Sequence, residues 1–200
     1  MNEFVFGRPK VRFGNVWAYT SRMVLYAEEH GLKEVLLSHK SKRLTLIQEM
    51  WEEFDTNAII KVVEKDTDER RRFGVPDHKK SYAKTKKQWK GNVGRICYQI
   101  ATNSKRTDQI ITENHGVFLK GLEEQGYELV KLGLPMTLSE SIEVMCDCEL
   151  FVGIDSGMSH MAHSIGIPVY LKGFPRLKKT HVGKDYKTFE NSTDLINKLK

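Results

Sequence analysis

Cysteine is scarce in this sequence of 200 residues: Cys97, Cys146 and Cys148 are too few, and of the wrong parity, for a disulfide framework. A reduced, cytoplasmic setting is expected. Cys146 and Cys148 lack further cysteine or histidine at metal-ligand spacing, so the plainer interpretation is two small apolar side chains near a helix end. Proline is also rare, at five residues, which excludes a proline-rich linker or fibre. Long apolar runs are missing: nothing approaches the roughly 20 residues of a membrane span, and residues 1–10 hold no signal-peptide core. What is present, 40% hydrophobic and 10% aromatic residues, suffices for the core of one domain or two small ones.

The net charge of +6 is concentrated. Between 69 and 90 stand nine basic residues (Arg70, Arg71, Arg72, Lys79, Lys80, Lys84, Lys86, Lys87, Lys90) against Glu69 and Asp77, leaving the remainder at −1. Such a segment attracts phosphates or polyanions by long-range Coulomb steering, or serves as a solvated linker.

Short apolar runs alternate with longer amphipathic ones, as in βαβ units around a parallel sheet, so the fold class is α/β. In the first half, strands are expected at 3–6, 34–38 and 58–63, with helices at about 16–30, ended by Gly31, and at 41–54. Leu44, Ile47, Met50 and Trp51 form a helical core stripe. The glycine- and proline-bearing basic stretch interrupts the alternation. The expected organisation is therefore a first lobe at 1–75, a basic linker at 76–94 and a second lobe at 95–200. That second lobe reads as strands 95–101, 127–132, 150–154 and 168–171, helices 108–125, 139–146 and 156–165, and a last helix from 192, capped by Ser192.

The stretch 150–168, LFVGIDSGMSHMAHSIGIP, carries the most chemistry. An apolar strand enters Asp155, then a Ser156-Gly157 turn, then a helix with His160 in its first turn. That order puts Asp155 at the carboxyl end of a strand, where open α/β sheets bind ligands. The amides of Ser156 and Gly157 would favour an anion such as phosphate, and Gly157 has no side chain to block it. Plain helix capping by Asp155 and Ser156 accounts for the same residues. Upstream, the strand over 96–101 enters Thr102-Asn103-Ser104-Lys105-Arg106, which offers small polar residues, a point charge and a guanidinium fork for phosphate oxygens. A solvated basic turn is the alternative.

Asp155, Ser156, Gly157, His160, Met161, Ala162, Gly166 and Pro168 resemble the sugar-nucleotide motif of glycosyltransferase family 9, the ADP-heptose:lipopolysaccharide heptosyltransferases and their relatives. Leu138, Glu140, Ile142 and Met145 are similar to the segment preceding that motif, and Ser104-Lys105 to the turn whose lysine contacts donor phosphates. The resemblance implies two Rossmann-like lobes of GT-B type and metal-independent transfer of a sugar from a nucleoside diphosphate, a co-substrate rather than a cofactor. Under it, Lys105 and Arg106 neutralise the leaving diphosphate and the Ser156 and Gly157 amides hold it. Asp155 positions the donor sugar, His160 hydrogen-bonds a phosphate or sugar oxygen, and Ser104 and Glu140 complete the donor site.

Gly14-Asn15-Val16 is similar to the family's first loop, where an aspartate is the general base. Asn15 stands in its place, and an amide orients a hydroxyl without deprotonating it. The acceptor implied is a saccharide. The basic segment with Tyr82 and Trp89 also suits a DNA acceptor, and Asn15 also fits an inactive nucleotide- or nucleic-acid-binding module.

Overall fold

The computed structural model describes residues 5–6, 13–38, 43–64, 82–100, 114–173, 177 and 185–200. The chain divides into two compact units, Met1–Lys86 and Lys87–Lys200.

In the first unit, β1 (Val5–Phe6), β2 (Glu34–Ser38) and β3 (Ile59–Val63) form a parallel sheet in that order. Helices α1 (Phe13–Glu29) and α2 (Leu44–Glu53) connect the strands and pack on each other. The helical stripe is core: Ile47, Met50 and Trp51 are buried, as are Trp17, Met23, Val35 and Leu37. The Trp17 and Phe54 rings meet at 4.7 Å. Helix α1 starts at Phe13, so Gly14 and Asn15 lie in its first turn and not in the expected loop. A poor helix former is tolerated there because a first-turn N–H has no intrahelical acceptor to lose. Gly31 closes the helix at φ 60° with Leu32 N–H donating to Ala27 C=O, the left-handed ending that glycine permits.

The second unit holds a five-stranded, all-parallel sheet: β4 (Arg95–Gln99), β5 (Glu128–Lys131), β6 (Leu150–Gly153), β7 (Val169–Lys172) and β8 (Tyr186–Phe189), in spatial order β5-β4-β6-β7-β8. Helices α3 (His115–Glu123), α4 (Leu138–Cys146), α5 (Gly157–Ile165) and α6 (Ser192–Leu199) flank it. Ile96, Ile100, Leu150, Val152 and Ile154 pack against Phe118 and Leu122 of α3 and Leu195 of α6. The alternate residues Cys97, Phe151, Val169 and Leu171 are buried towards the other face, where α4 and α5 lie together.

Three details depart from expectation. Helix α3 begins at His115, where the Asn114 side chain accepts the Gly116 N–H and breaks the expected 108–125 helix at that point; residues 108–113 lie outside the described residues. Helix α6 is capped by Asn191, whose Oδ1 accepts from Asp194 N–H, while Ser192 is the first helical residue and buried. Strand β8 was not foreseen; its Tyr-Lys-Thr-Phe stretch is short and flanked by polar residues, and pairing with β7 is what makes it a strand.

The described part of the basic segment has local work. Asp55 N–H donates to Lys84 C=O, and Ser21 Oγ accepts Ala83 N–H, within the first unit. In the second unit, residues 88–92 close the carboxyl ends of α4 and α5. Gln88 Nε2 donates to Ser164 C=O, Trp89 N–H to Ile165 C=O, Lys90 N–H to Cys146 C=O, and Asn92 Nδ2 to Asp147 C=O. These carbonyls have no intrahelical donor, and the negative dipole end favours nearby cations. Lys87 pairs with Glu143 and Lys90 with Asp147. The indole N–H of Trp89 donates to Cys148 C=O at 2.8 Å.

Candidate functional site at the strand-order reversal

The chain runs from β4 outwards to β5 and then crosses back to place β6 on the other side of β4. In doubly wound sheets the ligand crevice opens where the order reverses, beyond the carboxyl ends of the two strands. Here those ends belong to β4 and β6, which are hydrogen-bonded neighbours: Gln99 pairs with Gly153, and Ile154 N–H donates to Gln99 C=O at 3.2 Å. The strands that precede the two segments singled out in the sequence, 102–106 and 155–160, are therefore neighbours at one edge of the sheet. Ser104, Lys105 and Arg106 themselves lie outside the described residues.

Past β6 the chain turns at Asp155 and enters α5 with Ser156 as its N-cap, in extended conformation. Asp155 Oδ1 and His160 Nε2 approach to 3.7 Å, with side chains only 8% and 9% exposed, and the contact becomes an ion pair when the imidazole is protonated. The expected Ser156 amide is already used. Its N–H donates to Ser159 Oγ at 3.0 Å, and that hydroxyl donates to Ser156 C=O at 2.7 Å. The N–H of Gly157, the first helical residue, has no intrahelical acceptor. Ser156 Oγ is buried; it faces the Ser159 N–H across the reciprocal cap without a hydrogen bond of full geometry and finds no other partner among the described residues.

Gln99 Oε1, on the last residue of β4, is likewise buried without a partner among the described residues. An unsatisfied buried polar atom costs about 1–3 kcal/mol, so two of them, one on the last residue of β4 and one in the turn that follows β6, mark a place where the fold leaves polar capacity unused. Sequence reading missed Gln99. The available signal was its place at the end of a parallel strand, but only strand order reveals that this strand borders the crevice.

Glu140 lies on α4, whose amino end follows β5 at the same edge of the sheet. Its carboxylate accepts from the Thr137 N–H at 2.7 Å and the Thr137 hydroxyl at 2.8 Å, and these bonds hold it below the usual glutamate range. This reciprocal cap fixes the start of α4. Asn15 lies in the first unit, on α1; its side chain is outside the described residues.

Residues 98–170 match the family model of glycosyltransferase family 9 (heptosyltransferase). The match supports a glycosyltransferase. It runs from the end of β4 into β7 and so contains the whole reversal, with Gln99, Glu140, Asp155, Ser156, Gly157 and His160 inside it. Asn15 and the first unit lie outside the matched residues. No curated protein and no solved structure matches the chain.

Among the described residues no group of three or more His, Cys, Asp or Glu is arranged to hold a metal ion. The three thiols are buried and free; burial pushes Cys97 up, and Cys148 is lowered chiefly by its hydrogen bond with Cys97. No described helix is long and apolar enough to cross a membrane. A cavity of about 220 Å³ in the first unit, lined in part by Trp51, Phe54, Ala58 and Lys86, opens at the amino end of β3. That is the wrong edge for a ligand of a parallel sheet, and the cavity is not part of the site.

Proposed function

We propose that the second unit binds the diphosphate of a sugar nucleotide at the β4/β6 reversal and that the chain transfers the sugar to a saccharide hydroxyl without a metal. The observation that carries this reading is the Ser156-Gly157 entry to α5: an unused hydroxyl beside a helix amino end, at the carboxyl edge of the reversal, inside the family 9 segment. Helix amino ends favour anions through their N–H groups and dipole. Lys105 and Arg106, the first cations after β4 in the chain, neutralise the charge on the departing diphosphate, which is the larger share of such catalysis. Ser104 adds a hydroxyl, Glu140 contacts the nucleoside side of the donor, Asp155 positions the donor sugar and His160 stands against Asp155. Asn15 orients an acceptor hydroxyl.

A saccharide is preferred to DNA as acceptor because three of the four described cations of the basic segment, Lys86, Lys87 and Lys90, pair with carboxylates within the protein. Trp89 uses its indole N–H on the backbone. One Asp-x-Asp spacing exists, Asp66-Thr67-Asp68, outside the described residues, so metal independence is tested directly. The experiment is calorimetric titration with a panel of sugar nucleotides, followed by product analysis, each with and without EDTA. Binding and sugar release that persist in EDTA agree with the proposal. Loss of both in EDTA refutes metal independence, binding without turnover favours the inactive module, and no binding to any donor refutes the site.

A further inference from the structure

The donor site as proposed gives the phosphates their partners but leaves Gln99 unexplained. Its carboxamide oxygen is buried and without a hydrogen-bond partner among the described residues, and its residue pairs with Gly153, the last residue of the strand that leads to Ser156. The amide nitrogen lies beside Gly133, in the turn between β5 and α4, where even a Cβ would stand 3.7 Å away; no side chain covers it from that residue. A glutamine kept for the fold would spend its oxygen on a backbone or side-chain donor, since buried acceptors are almost always paired.

We propose that Gln99 is a ligand contact, and that it reads the nucleoside rather than the phosphates. This rests on the donor-site reading above. A carboxamide oxygen only accepts hydrogen bonds, and an ionised diphosphate has no hydrogen to give. The group that satisfies Gln99 is therefore a hydroxyl or amine hydrogen on a part of the ligand next to the phosphates; with the donor sugar held by Asp155 in the reading above, that part is the ribose or base of the nucleoside diphosphate. Anion and hydroxyl are thus recognised by different strand tips: the phosphates by the amino end of α5 after β6, the nucleoside by the last residue of β4.

The test compares wild-type protein with Gln99→Met, which keeps length and volume while removing the acceptor, and with Gln99→Leu as a second apolar variant. Each is titrated with ADP, GDP, UDP and CDP in turn and with inorganic pyrophosphate, and its melting temperature is measured. A contact to the ligand predicts that the best nucleoside diphosphate loses about 5- to 100-fold in affinity, as for a ligand donor left unpaired. Pyrophosphate affinity stays unchanged, and melting is unchanged or higher because a buried unpaired acceptor has gone. The assignment is overturned if nucleotide affinity is unchanged, if pyrophosphate weakens equally, or if both variants melt lower or fail to fold, which is the behaviour of a structural residue. Wild-type protein that binds none of the four nucleotides refutes the donor site itself, and this assignment with it. Wild-type binding with unaltered variants refutes only Gln99.

Discussion

Gly153 and Gln99 face each other across β6 and β4 so closely that a Cβ on Gly153 would stand 2.6 Å from the Gln99 carbonyl oxygen and 2.8 Å from the Phe151 ring. No side chain fits there without moving backbone. Gly153→Ala should destabilise the second unit by about 1–3 kcal/mol through overpacking, and should spread the two strand tips. Urea denaturation followed by tryptophan fluorescence measures this; a midpoint equal to wild type would show that the tips are not held at that spacing.

Lys105→Ala should lower turnover by about one to three orders of magnitude, the usual loss on removing one stabiliser of developing charge. The variant should also bind nucleoside diphosphate more weakly. Unchanged donor binding by calorimetry would remove Lys105 from the phosphate site.

Asp155→Asn retains size and hydrogen bonding but removes the charge beside His160. If Asp155 positions the donor sugar, turnover should fall about 100-fold or more at near-constant donor affinity, because the loss is felt mainly in the transition state. Equal weakening of KM with intact kcat would assign Asp155 to ground-state binding alone.

Glu140 is a carboxylate held below its ordinary value of 4.5 by the Thr137 N–H and hydroxyl. A depressed folded-state value means that the stabilisation is fully present above pH 4.5 and disappears as pH falls through the lower folded value. Glu140→Ala should therefore melt below wild type at neutral pH, with the gap narrowing in acid. A gap that is constant from pH 7 to pH 3 would show that the carboxylate's charge plays no part in the cap.

Trp89→Phe keeps the ring and deletes only the N–H that donates to Cys148 C=O. The expected cost is about 1 kcal/mol, one backbone-directed hydrogen bond. If DNA were the acceptor and Trp89 its stacking platform, the phenylalanine would largely preserve DNA binding while alanine abolished it; titration with labelled DNA at low salt distinguishes the two.

Much of this protein could be read locally. The 34–38 strand, the core stripe of α2, the glycine ending of α1 and the Asp155-Ser156-Gly157 turn all follow from spacing and capping preferences acting over a few residues. Where expectation slipped, a neighbour's side chain won the local competition: Asn191 took the cap assigned to Ser192, Asn114 set the start of α3, and Ser159 took the Ser156 amide. Such choices turn on less than a hydrogen bond's energy and are not visible in residue type alone.

The sequence by itself determined the alternation of strands and helices, and the turn at 155–157 between β6 and α5, because both depend on contacts a few residues apart. Only the tertiary structure decided that β4 lies beside β6, which makes Gln99 a neighbour of Gly153, and that Lys87 serves Glu143, 56 residues away. Strand order and long-range pairing are settled by packing whole faces together, and no local preference encodes which tips will share an edge.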